Sequence, residues 1–284
     1  MKKLLIPFIA GALIFSGTVS PAICYGQSQN AVVNKYLTEL PHGKVTDDGK
    51  LQKYRMTAVY TNRDLYGNFT GKQKVSGDYT RGLENGFVTW NNIFISGSNN
   101  FSEPFPAGTK QEYMENFKYV PSSNMVEEKE AFKNFPSSPE NIYARNLIWD
   151  MMSFEIFAWN YFDSLKLNKT YIIPDISGQF DMAEIGKYSH NKIFLSWKGI
   201  SEINNELCAV IDFNALDNIV ELTMDIIKSK GTEQYWGTIL VSLKTKNIEQ
   251  AIMYGGTIQE IEINGMKDKF LVKTIRELEL NRIQ

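Results

Sequence analysis

Few residues of this chain have the types and spacing that enzyme chemistry requires. The two histidines, His42 and His190, sit in short polar segments typical of turns, so we expect both to be solvated loop residues. The sequence contains no nucleophile elbow, phosphate-binding glycine loop, dinucleotide fingerprint or zinc-protease motif. We therefore predict no catalytic residue, no metal ligand and no cofactor.

Carboxylate pairs are the other source of catalysis to consider, because glycosidases use two acids about 5–5.5 or 6.5–9.5 Å apart. Glu221 and Asp225 share a strand face, but four residues of strand put their Cα atoms roughly 13 Å apart. Asp175 and Asp181 flank Gly178 and could approach each other across a turn. A secreted hydrolase that uses such carboxylates stays open as an alternative function.

Four large apolar residues have the spacing of a ligand-binding helix face: Trp149, Met152, Ile156 and Trp159. They lie opposite a second apolar face, so a sheet that covers one face leaves the other without a partner. That partner could be the proline-rich segment 101–138, the far wall of a closing barrel, or a hydrophobic ligand. We predict that these four residues bind a lipid or another apolar small molecule.

The helix that carries these residues is predicted over 139–166. Ser138 can cap it, Pro139 suits its first turn, and Glu140 faces the positive end of the helix dipole. Its side chains are apolar except for a narrow polar stripe that includes Asp150. Charged residues inside the segment argue against a transmembrane helix, so we expect it to be buried in protein.

Strands account for most of the remaining chain. Residues 52–96 alternate between apolar and polar with period two, and the same pattern returns from Ile193 to the C-terminal region. Connections such as Lys230 with Gly231, Gly255 with Gly256, and Asn264 with Gly265 are too short for crossover helices. The predicted fold is α+β, mostly β: a strongly curved antiparallel meander, a half-barrel or open barrel, wrapped on the central apolar helix.

Segment 101–138 differs from its surroundings because it contains four prolines among serine, asparagine and lysine. Each proline removes a ladder donor, so we predict a long surface excursion with one short helix from about Met125 to Phe135. Such an excursion could bind another protein. A protein interaction module with a fully packed core is therefore an alternative function.

The N-terminal segment has the features of a secretory signal peptide. Lys2 and Lys3 precede roughly 12 apolar residues, which are too few to cross about 30 Å of hydrocarbon, and small residues follow. We predict a signal peptide over 1–26, a single β-rich domain over 27–284 with no transmembrane segment, and export from a bacterial cell to the periplasm or the exterior.

Composition excludes several classes of protein. With 30 Lys and Arg against 32 Asp and Glu, the net charge of −2 does not favour nucleic acid or an anionic membrane surface. Two cysteines and two histidines are too few for a disulfide scaffold or a zinc site built from these residues alone.

The order of elements over about 52–280, with strands, an apolar helix and then a long antiparallel meander, resembles the unclosed half-barrels of periplasmic lipoprotein carriers and related lipid-binding lipoproteins. This resemblance implies a bent sheet that holds helices over an apolar cavity. It assigns no binding residue. The function predicted here is an exported, non-enzymatic protein that binds a hydrophobic ligand, or an apolar segment of a partner, between sheet and helix.

Overall fold

A computed structural model describes residues 24–42, 50–122, 125, 127–136, 140–174, 178–224 and 226–283. Most of the predicted signal peptide lies outside these residues, as do Asp175 and Asp225. Within them no helix is long and apolar enough to span a bilayer.

Three α-helices and thirteen strands form the described part of the chain. The helices are α1 (Cys24–Thr38), α2 (Lys129–Phe132) and α3 (Asn141–Glu155). The strands are β1 (Gln52–Arg63), β2 (Phe69–Arg81), β3 (Val88–Ser98), β4 (Thr109–Lys110), β5 (Phe117–Tyr119), β6 (Thr170–Ile172), β7 (Gly178–Asp181), β8 (Gly186–His190), β9 (Lys192–Ile203), β10 (Glu206–Met224), β11 (Ile227–Ser242), β12 (Ile248–Ile263) and β13 (Phe270–Ile283).

All thirteen strands belong to one antiparallel sheet that does not close into a barrel. The main order is β4-β3-β2-β1-β13-β12-β11-β10-β8-β7, while β5 pairs with β3 and β9 pairs with both β10 and β6. Neighbours in sequence pair as in a meander, and β13 returns to pair with β1, so that Lys53 lies opposite Ile283. The predicted α+β, mostly β fold class is confirmed.

Alternation along the strands places one face of the sheet in the core, as the sequence predicts. On β1, Tyr54, Met56, Ala58 and Tyr60 are all buried, while their neighbours are more exposed. Because successive side chains of a strand point to opposite faces, these four residues share the face that covers α3.

The apolar helix is shorter than the predicted 139–166 and changes type along its length. α3 ends at Glu155, a π-helical turn follows over Ile156–Asn160, and a short 3-10 turn covers Phe162–Ser164. The backbone N–H of Ile156 donates to the carbonyls of both Met152 and Ser153, which marks where the hydrogen-bond spacing changes. Hydrophobic periodicity alone does not distinguish the two helix types.

α3 is buried, as predicted, and packs on both halves of the sheet. Leu147, Ile148, Met151 and Phe154 are almost fully buried. The ring of Phe154 meets the edge of Phe213 on β10, with the ring centroids 6.0 Å apart. On the other half of the sheet, Tyr79 of β2 donates a hydrogen bond of 2.8 Å to the Glu155 carboxylate. One helix thus supports distant strands.

Two buried ion pairs also join the helical segment to the sheet. Arg276 of β13 lies 3.2 Å from Asp150, and Arg81 of β2 lies 3.2 Å from Glu155. The polar stripe predicted along the helix thus faces protein at Asp150 rather than solvent. Burial raises the pKa of Asp150 to about 6, while Arg276 opposes this rise.

The excursion 101–138 is less of a surface feature than the sequence predicts. Its strands β4 and β5 both pair with β3, and its helix α2 is shorter than the predicted 125–135. Met114, Met125 and Phe132 are buried in the main core. The prolines separate these short strands but do not prevent pairing.

Two of the three predicted glycine turns are wrong. Gly231 lies inside β11, and Gly255 and Gly256 lie inside β12, so β10, β11 and β12 are long strands. Glycine inside a strand can provide space for a neighbouring side chain, and a single sequence does not separate this role from a turn. A hairpin does connect β12 and β13 at Gly265, whose φ is +86°, but its loop covers 264–269 rather than the predicted two residues.

Gly237 of β11 tests how closely this strand packs against Phe213 and Ile252. A Cβ atom there would lie 2.7 Å from the ring of Phe213 and would collide with the Ile252 carbonyl. We expect Gly237→Ala to lower the free energy of unfolding by about 1–3 kcal/mol, because overpacking forces backbone and ring to shift. The measurement is urea denaturation.

Gly256→Ala is the matched control, since a Cβ atom at Gly256 on the next strand has no neighbour within 4 Å. Its stability should equal or slightly exceed that of the unmodified protein. Equal losses in both variants would contradict this account.

Asp150→Asn tests the buried carboxyl. Because its folded pKa, about 6, exceeds the ordinary 3.8, the stabilisation from protonated Asp150 is complete below pH 3.8 and is lost as pH rises through about 6. The stability of Asp150→Asn relative to the unmodified protein should therefore increase over this window, by at most about 3 kcal/mol.

Denaturation at a series of pH values measures this difference. The exposed Asp217→Asn substitution controls for the loss of one carboxylate. If the stability difference between Asp150→Asn and the unmodified protein stayed constant or fell as pH rises, the pKa of Asp150 would not be raised in the folded protein.

Candidate functional site

A cavity of about 460 Å³ lies between α3 and the concave face of the sheet. Most of its lining is apolar or aromatic: Tyr60, Ile142, Tyr143, Trp149, Met152, Ile156, Phe157, Phe180, Met182, Tyr188, Ile193, Val220, Leu222 and Tyr235. The polar lining residues are Asn62, Glu127, Asn146, Asp150, Ser153, His190, Glu233, Thr257, Gln259, Thr274 and Arg276. The cavity therefore combines an apolar and aromatic wall with many polar groups.

Three of the four predicted ligand-binding residues line this cavity: Trp149, Met152 and Ile156. Their spacing puts them on one side of the helix. Trp159 is not in the lining. Its indole N–H donates a hydrogen bond of 2.9 Å to the Lys246 carbonyl, and Arg81 lies over its ring at 4.0 Å. Trp159 follows the change of helix type at Ile156, which alters the direction of later side chains.

The proline-rich excursion covers part of the same helix face. Phe132 of α2 meets the edge of Trp149, with the ring centroids 6.0 Å apart. Trp149 is only 7% exposed, so this tryptophan contacts both protein and cavity. The excursion is thus one of the partners that this face of α3 requires, and the cavity occupies the rest.

The charged part of the lining centres on Arg276. Its guanidinium lies 3.2 Å from Asp150 and 3.7 Å from Glu233. Burial lowers the pKa of Arg276, but the two carboxylates outweigh burial and raise that pKa above its ordinary value. Gly255 lies directly opposite Arg276, and a Cβ atom there would come within 3.4 Å of Nε.

A row of aromatic rings begins at Glu233. The Tyr188 hydroxyl donates a hydrogen bond of 2.6 Å to Glu233. The Tyr188 ring lies 5.6 Å from Phe180 and 4.9 Å from His190, and His190 lies 6.4 Å from Tyr235. These contacts form a continuous wall on β7, β8 and β11.

His190 contradicts its prediction as a solvated turn residue. It lies on β8, lines the cavity, and places Nδ1 3.2 Å from the Asn218 side-chain oxygen. Burial lowers the pKa of His190, which favours its neutral form. The polar neighbours of His190 in sequence suggest a turn, but strand pairing with β10 determines its surroundings.

Arg276 and Glu233 were not predicted as site residues. Both lie on inward-facing positions of their strands. Arg276 shares its face of β13 with Leu278 and Leu280, and Glu233 shares its face of β11 with Tyr235. A charged residue on an otherwise apolar strand face is a signal that the sequence contains. It identifies a buried charge but not its partner.

Each carboxylate pair considered for hydrolysis has one member outside the described residues, so neither pair is tested. Glu221 forms an ion pair of 2.6 Å with Lys230, away from the cavity. Asp181 lies on β7 and is exposed. Asp175 and Asp225 are outside the described residues. Across the described ranges, no group of three or more His, Cys, Asp or Glu side chains is arranged to hold a metal ion.

Comparisons with known proteins give weak structural similarity only. No family model matches the sequence, and no curated protein matches it. Among solved structures, the chain aligns with the crystal structure of a DUF1329 family protein from Desulfovibrio piger, at 8% identity, over 83% of this chain and 87% of that chain, with a TM-score of 0.14. At this TM-score the resemblance supports no conclusion about function.

Proposed function

We propose that this protein is an exported, non-enzymatic binding protein that holds a hydrophobic small molecule, or an apolar segment of a partner, between α3 and the sheet. The observation that supports this most directly is the cavity of about 460 Å³ beside Trp149, Met152 and Ile156. Its size falls within the range of about 300–1,000 Å³ that is usual for small-molecule sites.

Its lining also has the composition of a ligand site. Aliphatic and aromatic side chains form most of the wall, and polar groups gather around Arg276. Each methylene group that leaves water for such a wall contributes about 0.8 kcal/mol. An apolar tail would supply affinity, while the polar groups would fix orientation.

A lipid is the ligand class that the sequence favours. The order of elements resembles lipoprotein carriers, and the N-terminal segment has the features of an export signal. We propose both lipid binding and export for this chain on these grounds. Export would place the protein where hydrophobic molecules need a carrier through water.

Fewer observations support the two alternative functions, a protein interaction module and a secreted hydrolase. For a protein interaction module, the excursion offers exposed apolar side chains at Phe101 and Val120. For a hydrolase, the cavity brings together two acids, Asp150 and Glu233, but both contact Arg276. The cavity favours ligand binding over both.

Met152→Trp tests the proposal by filling the cavity. The larger side chain should lower the affinity for the neutral apolar dye N-phenyl-1-naphthylamine by about tenfold or more, because it occupies the space of the dye. Fluorescence titration measures the change, and thermal unfolding verifies that the variant folds.

Met266→Trp is the matched control, since Met266 is 52% exposed between β12 and β13. It should bind the dye like the unmodified protein. Native mass spectrometry of protein from its own host should also show a bound small molecule. A clean apo mass, together with no saturable dye binding, would rule out the proposed function.

A further inference from the structure

The cavity lining carries more negative than positive charge. Among the described residues that line it, Arg276 is the one cation and no lysine is present. Asp150 and Glu233 lie inside, and Glu127 is exposed at the edge. Burial lowers the pKa of His190 and so favours its neutral form. Near neutral pH, Arg276 therefore balances one of the two inner carboxylates and leaves the other uncompensated.

Glu233 carries the weaker of the two contacts to Arg276. Its carboxylate lies 3.7 Å from the guanidinium, against 3.2 Å for Asp150. The Glu233 carboxylate also accepts a hydrogen bond of 2.6 Å from the neutral Tyr188 hydroxyl. The Glu233 side chain is 16% exposed, so water screens its charge only in part.

One aromatic side chain contacts this carboxylate, and further aromatic rings follow it along the cavity wall. Tyr188 donates to it, Phe180 stacks on Tyr188 at 5.6 Å, and Tyr235 follows on the same face of β11. The face of an aromatic ring is electronegative and attracts cations. A carboxylate beside such rings suits an ammonium group, including one whose methyl groups prevent hydrogen bonding.

We propose that the cavity binds an organic cation, an ammonium group with an apolar tail, with the ammonium beside Glu233 and its aromatic neighbours and the tail along Trp149, Met152 and Ile156. This inference rests on the proposed function and specifies the ligand class of the same site. An anionic head group would add to the uncompensated negative charge, because both inner carboxylates already contact Arg276. A neutral head group would leave the charge of Glu233 unchanged.

Three probes with the same alkyl chain and different charge test this inference: dodecyltrimethylammonium, dodecanol and dodecyl sulfate. Each is titrated below its micelle concentration against bound N-phenyl-1-naphthylamine at neutral pH. We expect the cation to bind about tenfold more tightly than dodecanol, and the sulfate to bind more weakly than dodecanol.

Glu233→Gln removes the charge and keeps both the shape and an acceptor for Tyr188. In this variant the cation should lose its advantage, to within about twofold of dodecanol, while the affinity for dodecanol stays the same. Glu221→Gln is the matched control, because Glu221 pairs with Lys230 outside the cavity lining. It should retain the full preference for the cation.

The outcomes separate the two proposals. Dodecanol or the sulfate binding as tightly as the cation overturns the charge preference and leaves ligand binding intact. An unchanged cation preference in Glu233→Gln overturns the role of Glu233. No binding of any probe, or of the dye itself, overturns the proposed function and this inference together. The three-probe comparison on the unmodified protein tests the charge preference even if Glu233→Gln does not fold.

Discussion

The fold depends on the burial of charged residues along an apolar helix. α3 and the turn after it bring Asp150 and Glu155 into the core together with large apolar side chains. A buried carboxylate without a counter-ion is very costly, so each acid needs a partner from the sheet. Arg276 and Arg81 supply these partners from strands on either side of β1. The ion pairs therefore fix which strands the helix can pack against and in which orientation.

The cavity lies beside one of these ion pairs. The apolar side of α3 packs closely at Phe154, whose ring meets Phe213 of β10. Elsewhere along the helix, Asp150 lines the cavity together with Glu233 and Arg276 of the sheet. Most of the cavity wall is apolar or aromatic, and the charged groups inside it contact one another.

Local patterns predicted the elements well and the long-range contacts poorly. The buried face of β1 and the helix that contains Trp149 follow from periodicity, because each depends on residues close in sequence. The positions of Gly231 and Gly255 inside strands are not predicted, since a glycine within a strand has the same local signal as a glycine in a turn. His190 was misassigned for a similar reason.

The candidate site shows the same division. Trp149, Met152 and Ile156 were identified because helix spacing puts them on one face. The missing half of the site, Glu233 and Arg276, comes from strands β11 and β13, whose approach to α3 is set by sheet register. Register between distant strands is a tertiary property, and a single sequence leaves it undetermined.

The pairing of β1 with β13 also has a consequence for folding. Sheet formation across this seam must bring together segments from nearly opposite ends of the described chain, and such non-local pairing is slow. Arg276 belongs to β13, so Asp150 has no cationic partner there until that strand is in place. During synthesis, the cavity can therefore assemble only after β13 has left the ribosome.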